Sequence, residues 1–153
     1  MITYYIVLCL HLVCACIWVG GHLVLVTRVL PRALREKKAS IIRAFEEPYE
    51  QIGMPALGVQ IVTGLWLAHR LLGGSIAMWF GDSSISRVVQ VKLALLGATF
   101  LLALRAKLRV IPRLRDDNIP LLGAHIVTVT VLGVIFVLVG ASVRVGGLAA
   151  FSS

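Results

Sequence analysis

Charge is the scarcest property of this 153-residue chain: 14% of its residues are Asp, Glu, Lys or Arg, against roughly 25% in a soluble domain. Only seven are acidic. With 59% apolar residues and a mean hydropathy of +0.94, so short a chain has more apolar surface than one core can bury in water. That excludes a water-soluble enzyme and a nucleic-acid-binding module, despite a formal net charge of +8. Cysteine is also sparse. Cys14 and Cys16 form a C-x-C, but on a helix they point about 200° apart; Cys9 and Cys16 share a face roughly 10 Å apart. All three read as small packing residues, so neither a disulfide nor a redox compartment follows. No Walker loop, Rossmann glycine run, C-x-x-C-H or nucleophile elbow is present.

What is present is long uncharged runs. Residues 1–27 carry no charged side chain, 52–69 and 71–81 flank the single Arg70, 88–104 is broken only by Lys92, and 119–143 is uninterrupted. Each approaches the ~20 residues a helix needs to cross a ~30 Å hydrocarbon layer. Backbone groups in lipid must be satisfied within the segment, which requires helices. The sequence therefore predicts one all-α integral membrane domain over 1–153, an antiparallel four-helix bundle with spans near 2–27, 52–72, 88–108 and 119–143. A cleavable leader would need a positive start and a shorter apolar core; Met1–Tyr5 has no side-chain charge, so the first run is expected to stay as a helix.

The loops give an orientation. Arg28, Arg32, Arg35, Lys37, Lys38 and Arg43 follow the first run, and Arg105, Lys107, Arg109, Arg113 and Arg115 follow the third. The positive-inside rule puts both loops in the cytoplasm and both termini outside, periplasmic in a bacterial-type inner membrane. Topology alone thus accounts for the basic balance. Tyr4, Tyr5, Trp79 and Phe80 are expected at the outer boundary. Residues 34–47 mix apolar and charged positions before Pro48, and are expected to form a short helix on the inner surface.

Ionisable side chains inside spans are costly and usually face the bundle interior. All four histidines lie in or beside spans: His11, His22, His69 and His125. His11 and His22 differ by only about 20° around one helix and lie ~16 Å apart along it; Trp18 shares their stripe. Counting inward from Arg28 and Asp117 places His22 and His125 at similar depth on antiparallel helices. Two imidazoles facing across a bundle suit the axial ligation of haem iron. Gly20 and Gly21 before His22, and Gly123 and Ala124 before His125, leave room for a flat macrocycle, with Arg28, Arg43 or Arg113 near its propionates. The same small residues also serve simple close packing. A second haem at His11 and His69 is a weaker pairing. Copper is the rival: Met54 falls near the same depth, and a thioether with His22, His125 and His11 suits Cu(I). Lys92 is either a side chain reaching the headgroups or a buried amine that pairs with a propionate or moves a proton. Gln60, Gln90, Thr63 and Thr128 read as interhelical hydrogen-bond partners.

At these residues the chain resembles the short, single-unit members of the copper-resistance protein D family. The likeness rests on His11-Leu-Val, Trp18-Val-Gly-Gly-His22, Pro31-Arg32, Ile52-Gly-Met-Pro-Ala-Leu and Thr63-Gly-Leu-Trp-Leu, then Lys92-Leu-Ala-Leu, Val110-Ile-Pro-Arg-Leu, His125-Ile-Val and Arg144-Val-Gly-Gly. It implies an inner-membrane bundle linked to copper uptake or tolerance. The chain is also distantly similar to the HemJ-type protoporphyrinogen oxidases, which pair a first-helix His with a later Lys; by that likeness His11 and Lys92 carry over, with Lys92 catalytic. Gly-Gly-His22 and His125 depart from that pattern.

Three functions are therefore expected in competition. The first is a b-type haem electron carrier, with His22 and His125 as ligands and a quinone or a periplasmic redox partner. The second is a copper permease with a periplasmic copper partner, and the third a haem-dependent porphyrinogen oxidase. An accessory bundle whose histidines only bond other helices stands beside them. A homodimer is compatible with so small a bundle.

Overall fold

The computed structural model describes residues 1–111 and 115–145, apart from the Lys107 side chain. Every regular element among them is helical. Helix α1 runs Ile2–Val24, passes through a π turn at Leu25–Val29, and continues as α2, Leu30–Glu36. Helix α3 spans Ser40–Leu71 and α4 spans Ser84–Arg105, followed by a second π turn at Ala106–Val110. Helix α5 covers Ile119–Ser142. Four of these helical stretches are long and apolar enough to cross a bilayer, so the chain is a multi-pass membrane protein of the expected class.

The helices outlast their apolar runs at the end that carries both basic loops, here the basic end. Residues 34–47 form no separate surface helix. They are divided between the end of α2 and the first turns of α3, joined by a tight turn in which Lys37 is left-handed, φ 52°. Pro48 does not stop the chain either; it and Pro55 both lie inside α3. Each removes one helical N–H, a loss that membrane helices tolerate when neighbouring groups re-satisfy the freed carbonyls.

The densest apolar packing is at the basic end. Leu25, Leu30, Ala33, Ile42, Ile119, Leu122 and Ile126 belong to one buried cluster. The two basic loops are tied by a hydrogen bond from the Ala39 N–H to the Asp116 carboxylate at 2.7 Å. At the opposite end, Gly73 and Gly74 take positive φ, 69° and 79°, and turn the chain out of α3. Ser83 caps α4 by accepting from the Ser86 N–H at 3.0 Å. Ser86 Oγ donates to the Met78 carbonyl, and Gln90 Nε2 donates to the Trp79 and Gly81 carbonyls. Gln90 therefore fastens the connecting loop to α4 rather than bridging two spans.

The α1–α3 pair is antiparallel and depends on glycine. The Tyr49 ring lies in a groove between Gly21 on α1 and Gly53 on its own helix, so that a Cβ at Gly21 would fall inside the ring's van der Waals surface. Overpacking of this kind costs about 1–3 kcal/mol. Gly21→Ala is expected to lower stability by that amount in thermal unfolding of the detergent-solubilised protein. Gly20→Ala, which meets nothing within 4 Å, should be neutral; equal effects at the two positions would show that Tyr49 does not occupy the groove.

Candidate functional site

The polar side chains that α1 turns inward meet α3 at two depths. Toward the end opposite the basic loops, His11 is 8% exposed, and its Nδ1 lies 2.9 Å from Thr63 Oγ1. Thr63 spends its own proton on the Val59 carbonyl at 2.7 Å, so His11 Nδ1–H donates to the hydroxyl and Nε2 keeps its lone pair. Gly64 faces the same ring, 3.0 Å from His11 Cε1 to the position a Cβ would take. One turn earlier on α3, Gln60 is buried and its Oε1 has no hydrogen-bond partner.

A cation completes this layer. Lys92 Nζ stands 4.9 Å from the Phe136 ring centroid and 3.2 Å from where a Gly140 Cβ would be. Gly133 of α5 meets Trp18 and Val19 of α1; seven residues further along both antiparallel helices, Gly140 is level with His11. The Lys92 ammonium therefore sits at the depth of His11 and within its electrostatic reach.

His22 occupies the second depth. Its Nδ1 donates to the Trp18 carbonyl at 2.9 Å, which also accepts from the Tyr49 hydroxyl at 2.7 Å. The Tyr49 oxygen is 3.3 Å from Nδ1. Trp18 packs on the imidazole with centroids 4.7 Å apart, and Tyr49 meets it edge-on. Tyr49 was invisible to sequence reasoning because it follows Pro48 in a stretch assigned outside the span; an aromatic three residues before the first apolar run of α3 is too weak a signal.

The structure separates His22 from His125. The α1–α5 register, set by Trp18 against Gly133 and Leu30 against Gly123, brings Thr130 to the His22 carbonyl at 3.4 Å. His125 lies five residues nearer the basic end, ~7.5 Å along α5 and about 140° around it. Its Nδ1 donates to the Leu121 carbonyl at 3.0 Å, and it lines a recess with Arg105 and Arg109. The expected match in depth fails because Arg28 does not mark the end of the first helical stretch, which runs on through the π turn and α2 to Glu36. His69 lies about 155° around α3 from the face that meets α1, so it is not joined to His11.

The remaining candidates are dispersed. Met54 is 53% exposed on the far side of α3. Arg28 and Arg43 are exposed, and Arg113 lies outside the described residues. Cys14, read as a packing residue, is buried on the α3-facing side of α1, between His11 and His22. Among the described residues no three His, Cys, Asp or Glu side chains converge as for a bare metal ion.

Removing the acceptor of a buried N–H costs about 1–3 kcal/mol. Thr63→Val should destabilise the protein by this amount and Thr63→Ser should not. Nitrogen-15 spectra of labelled histidine should show His11 as the Nδ1–H tautomer in the parent and in Thr63→Ser, with that signature lost in Thr63→Val.

No curated protein and no solved structure matches the chain. The profile of the family described as copper resistance protein D matches residues 43–143, a region that holds Thr63, His69, Lys92 and His125 and leaves His11 and His22 outside it. That match covers well over half of the sequence, and the chain belongs to the copper resistance protein D family.

Proposed function

We propose that this copper-resistance family member is a membrane redox protein that carries a b-type haem on the His11 imidazole. The observation that carries the reading is the state of the imidazoles. His11, His22 and His125 each donate Nδ1–H to a protein oxygen. This is how ligating histidines are held with Nε2 toward a metal. Yet they stand singly. A bare Cu(I) ion needs two or three protein donors together, whereas haem brings four nitrogens of its own and is held by one axial side chain in many proteins.

His11 is the best placed of the three. Thr63 fixes its ring, Gly64 lets α3 lie directly against Cε1, and Lys92 supplies a cation at the same depth for the carboxylates of such a group. The unpartnered Gln60 Oε1 offers an acceptor to any hydroxyl or N–H that enters. When bound, the haem would supply a one-electron couple. The chain's own residues orient the ligand, exclude water and place positive charge near it, which favours the reduced form of the cofactor. Ligation by His22 and His125 together, the reading drawn from sequence, would require Trp18 and Tyr49 to leave the His22 ring.

Copper is the second reading, favoured by the family itself and by the buried thiol of Cys14 between His11 and His22. Here the metal is cargo, passed along the α3-facing side of α1 by donors too dispersed to store it.

An absorption spectrum of protein purified in mild detergent separates the two. Haem is expected as a Soret band with reduced α and β bands, lost in His11→Ala and retained in His125→Ala. Lys92→Met should keep the bands and lower the midpoint potential, since a nearby cation is removed. A colourless protein with stoichiometric copper, lost in Cys14→Ser, would replace this reading with the second. Bands lost equally in His22→Ala and His125→Ala, and kept in His11→Ala, would restore bis-histidine ligation.

A further inference from the structure

At the basic end, α4 and α5 enclose a recess of about 220 Å³ lined by Arg105, Arg109, Val110, Asn118, Leu121 and His125. Arg105 and Arg109 are four apart where α4 enters its π turn, and so point the same way. Neither has an acidic partner among the described residues. The ion pairs there are Arg32 with Glu36 and Arg115 with Asp117. The undescribed positions, 112–114 and 146–153, contain no Asp or Glu. Two guanidinium groups thus share one concave surface with no carboxylate opposite them among the described residues.

The rest of the wall is of another character. Val110 is buried, and Leu121 is apolar and exposed. Leu101 and Leu104 on α4, and Leu108 in the π turn that follows it, flank Arg105 and are exposed, which in a bilayer means they face acyl chains. His125 has committed Nδ1–H to the Leu121 carbonyl, so its Nε2 is an acceptor. The recess therefore offers paired cations, one hydrogen-bond acceptor and an exposed apolar rim at the basic end of the α4 span.

We propose that this recess binds the headgroup of an anionic phospholipid of the phosphatidylglycerol type. The phosphodiester oxygens accept from Arg105 and Arg109, as guanidinium groups recognise phosphate. A headgroup hydroxyl donates to His125 Nε2, and the acyl chains lie against Leu101, Leu104 and Leu108. A soluble phosphate would satisfy the arginines and leave the apolar rim unused. This site is separate from the His11 layer, and the inference holds whether or not haem binds there.

The test uses full-length protein in lipid nanodiscs and in detergent. Nanodiscs containing phosphatidylglycerol are expected to raise the unfolding temperature above that in phosphatidylcholine alone. Titration of phosphatidylglycerol into the detergent-solubilised protein should show saturable binding. Arg105→Gln with Arg109→Gln should weaken that binding about tenfold or more, since each loses a charge-assisted bond. Arg109→Lys should retain part of it. The phosphatidylcholine baseline of each variant reports folding separately from binding. Equal stabilisation by both lipids, or unchanged affinity in the double Gln variant, would overturn the proposal. Inorganic phosphate at millimolar concentration is expected to give no comparable stabilisation; full replacement of the lipid effect by phosphate would mean a free-anion site and would also overturn it.

Discussion

Inside a bilayer no polar group can turn to water, and the pairing of α1 with α3 is where this chain meets that constraint. The α1 face that carries His11, Cys14, Trp18 and His22 would be unfavourable against lipid. Helix α3 answers it with Thr63 at one depth and Tyr49 at another. Glycine makes the second contact possible: Gly21 and Gly53 give up side chains so that an aromatic ring can lie between the helices and put its hydroxyl on a carbonyl of α1. With α1 and α3 paired this way, α5 packs on α4 and on the flank of α1. It packs there through Gly133, against Trp18 and Val19.

The spans were legible because lipid solvation imposes a composition on whole segments, and a run without charge reads the same in any register. Their ends were not. Arg28 and Pro48 read as boundaries, since charge is costly in hydrocarbon and proline costly in a helix. In the folded chain, helices that have left the hydrocarbon remain helices: a charged turn meets headgroups or water at no penalty, and the Leu25–Ile42 cluster holds the extensions in place. This error propagated into the site. Depths counted from Arg28 and Asp117 set His22 level with His125, whereas contacts between side chains set it level with Thr130. Composition fixes which residues lie in the membrane; only interhelical packing fixes which share a depth.

The same register produces a grouping that spacing did not suggest. His11 and Lys92 are 81 positions apart on helices that are not sequence neighbours, and only likeness to a known enzyme class paired them. The seven-residue step from Trp18–Gly133 to His11–Gly140 places the ammonium and the imidazole in one layer. Gln60 and Thr63 of α3 adjoin that layer and were legible only as generic hydrogen-bonding residues. Sequence could not reveal that Thr63 directs its hydroxyl proton along its own helix, which determines the histidine tautomer and so which ring nitrogen faces a ligand.

The distribution of donors and charges then argues about chemistry. The family match begins at Arg43, beyond both α1 imidazoles. The matched region contributes the surroundings of His11, namely Thr63, Gly64 and Lys92, while α1 contributes the imidazole itself. A cation beside that imidazole is a poor neighbour for a bare Cu(I) ion, because like charges in a low-dielectric layer repel with little screening. It is a good neighbour for an iron held in an anionic macrocycle. The structure thus divides its positive charge by purpose. One half-buried ammonium, Lys92, lies within the polar layer at the depth of His11, where charge is expensive. Eleven of the fifteen basic residues follow the first and third apolar runs in the sequence, outside the uncharged stretches, where charge costs little.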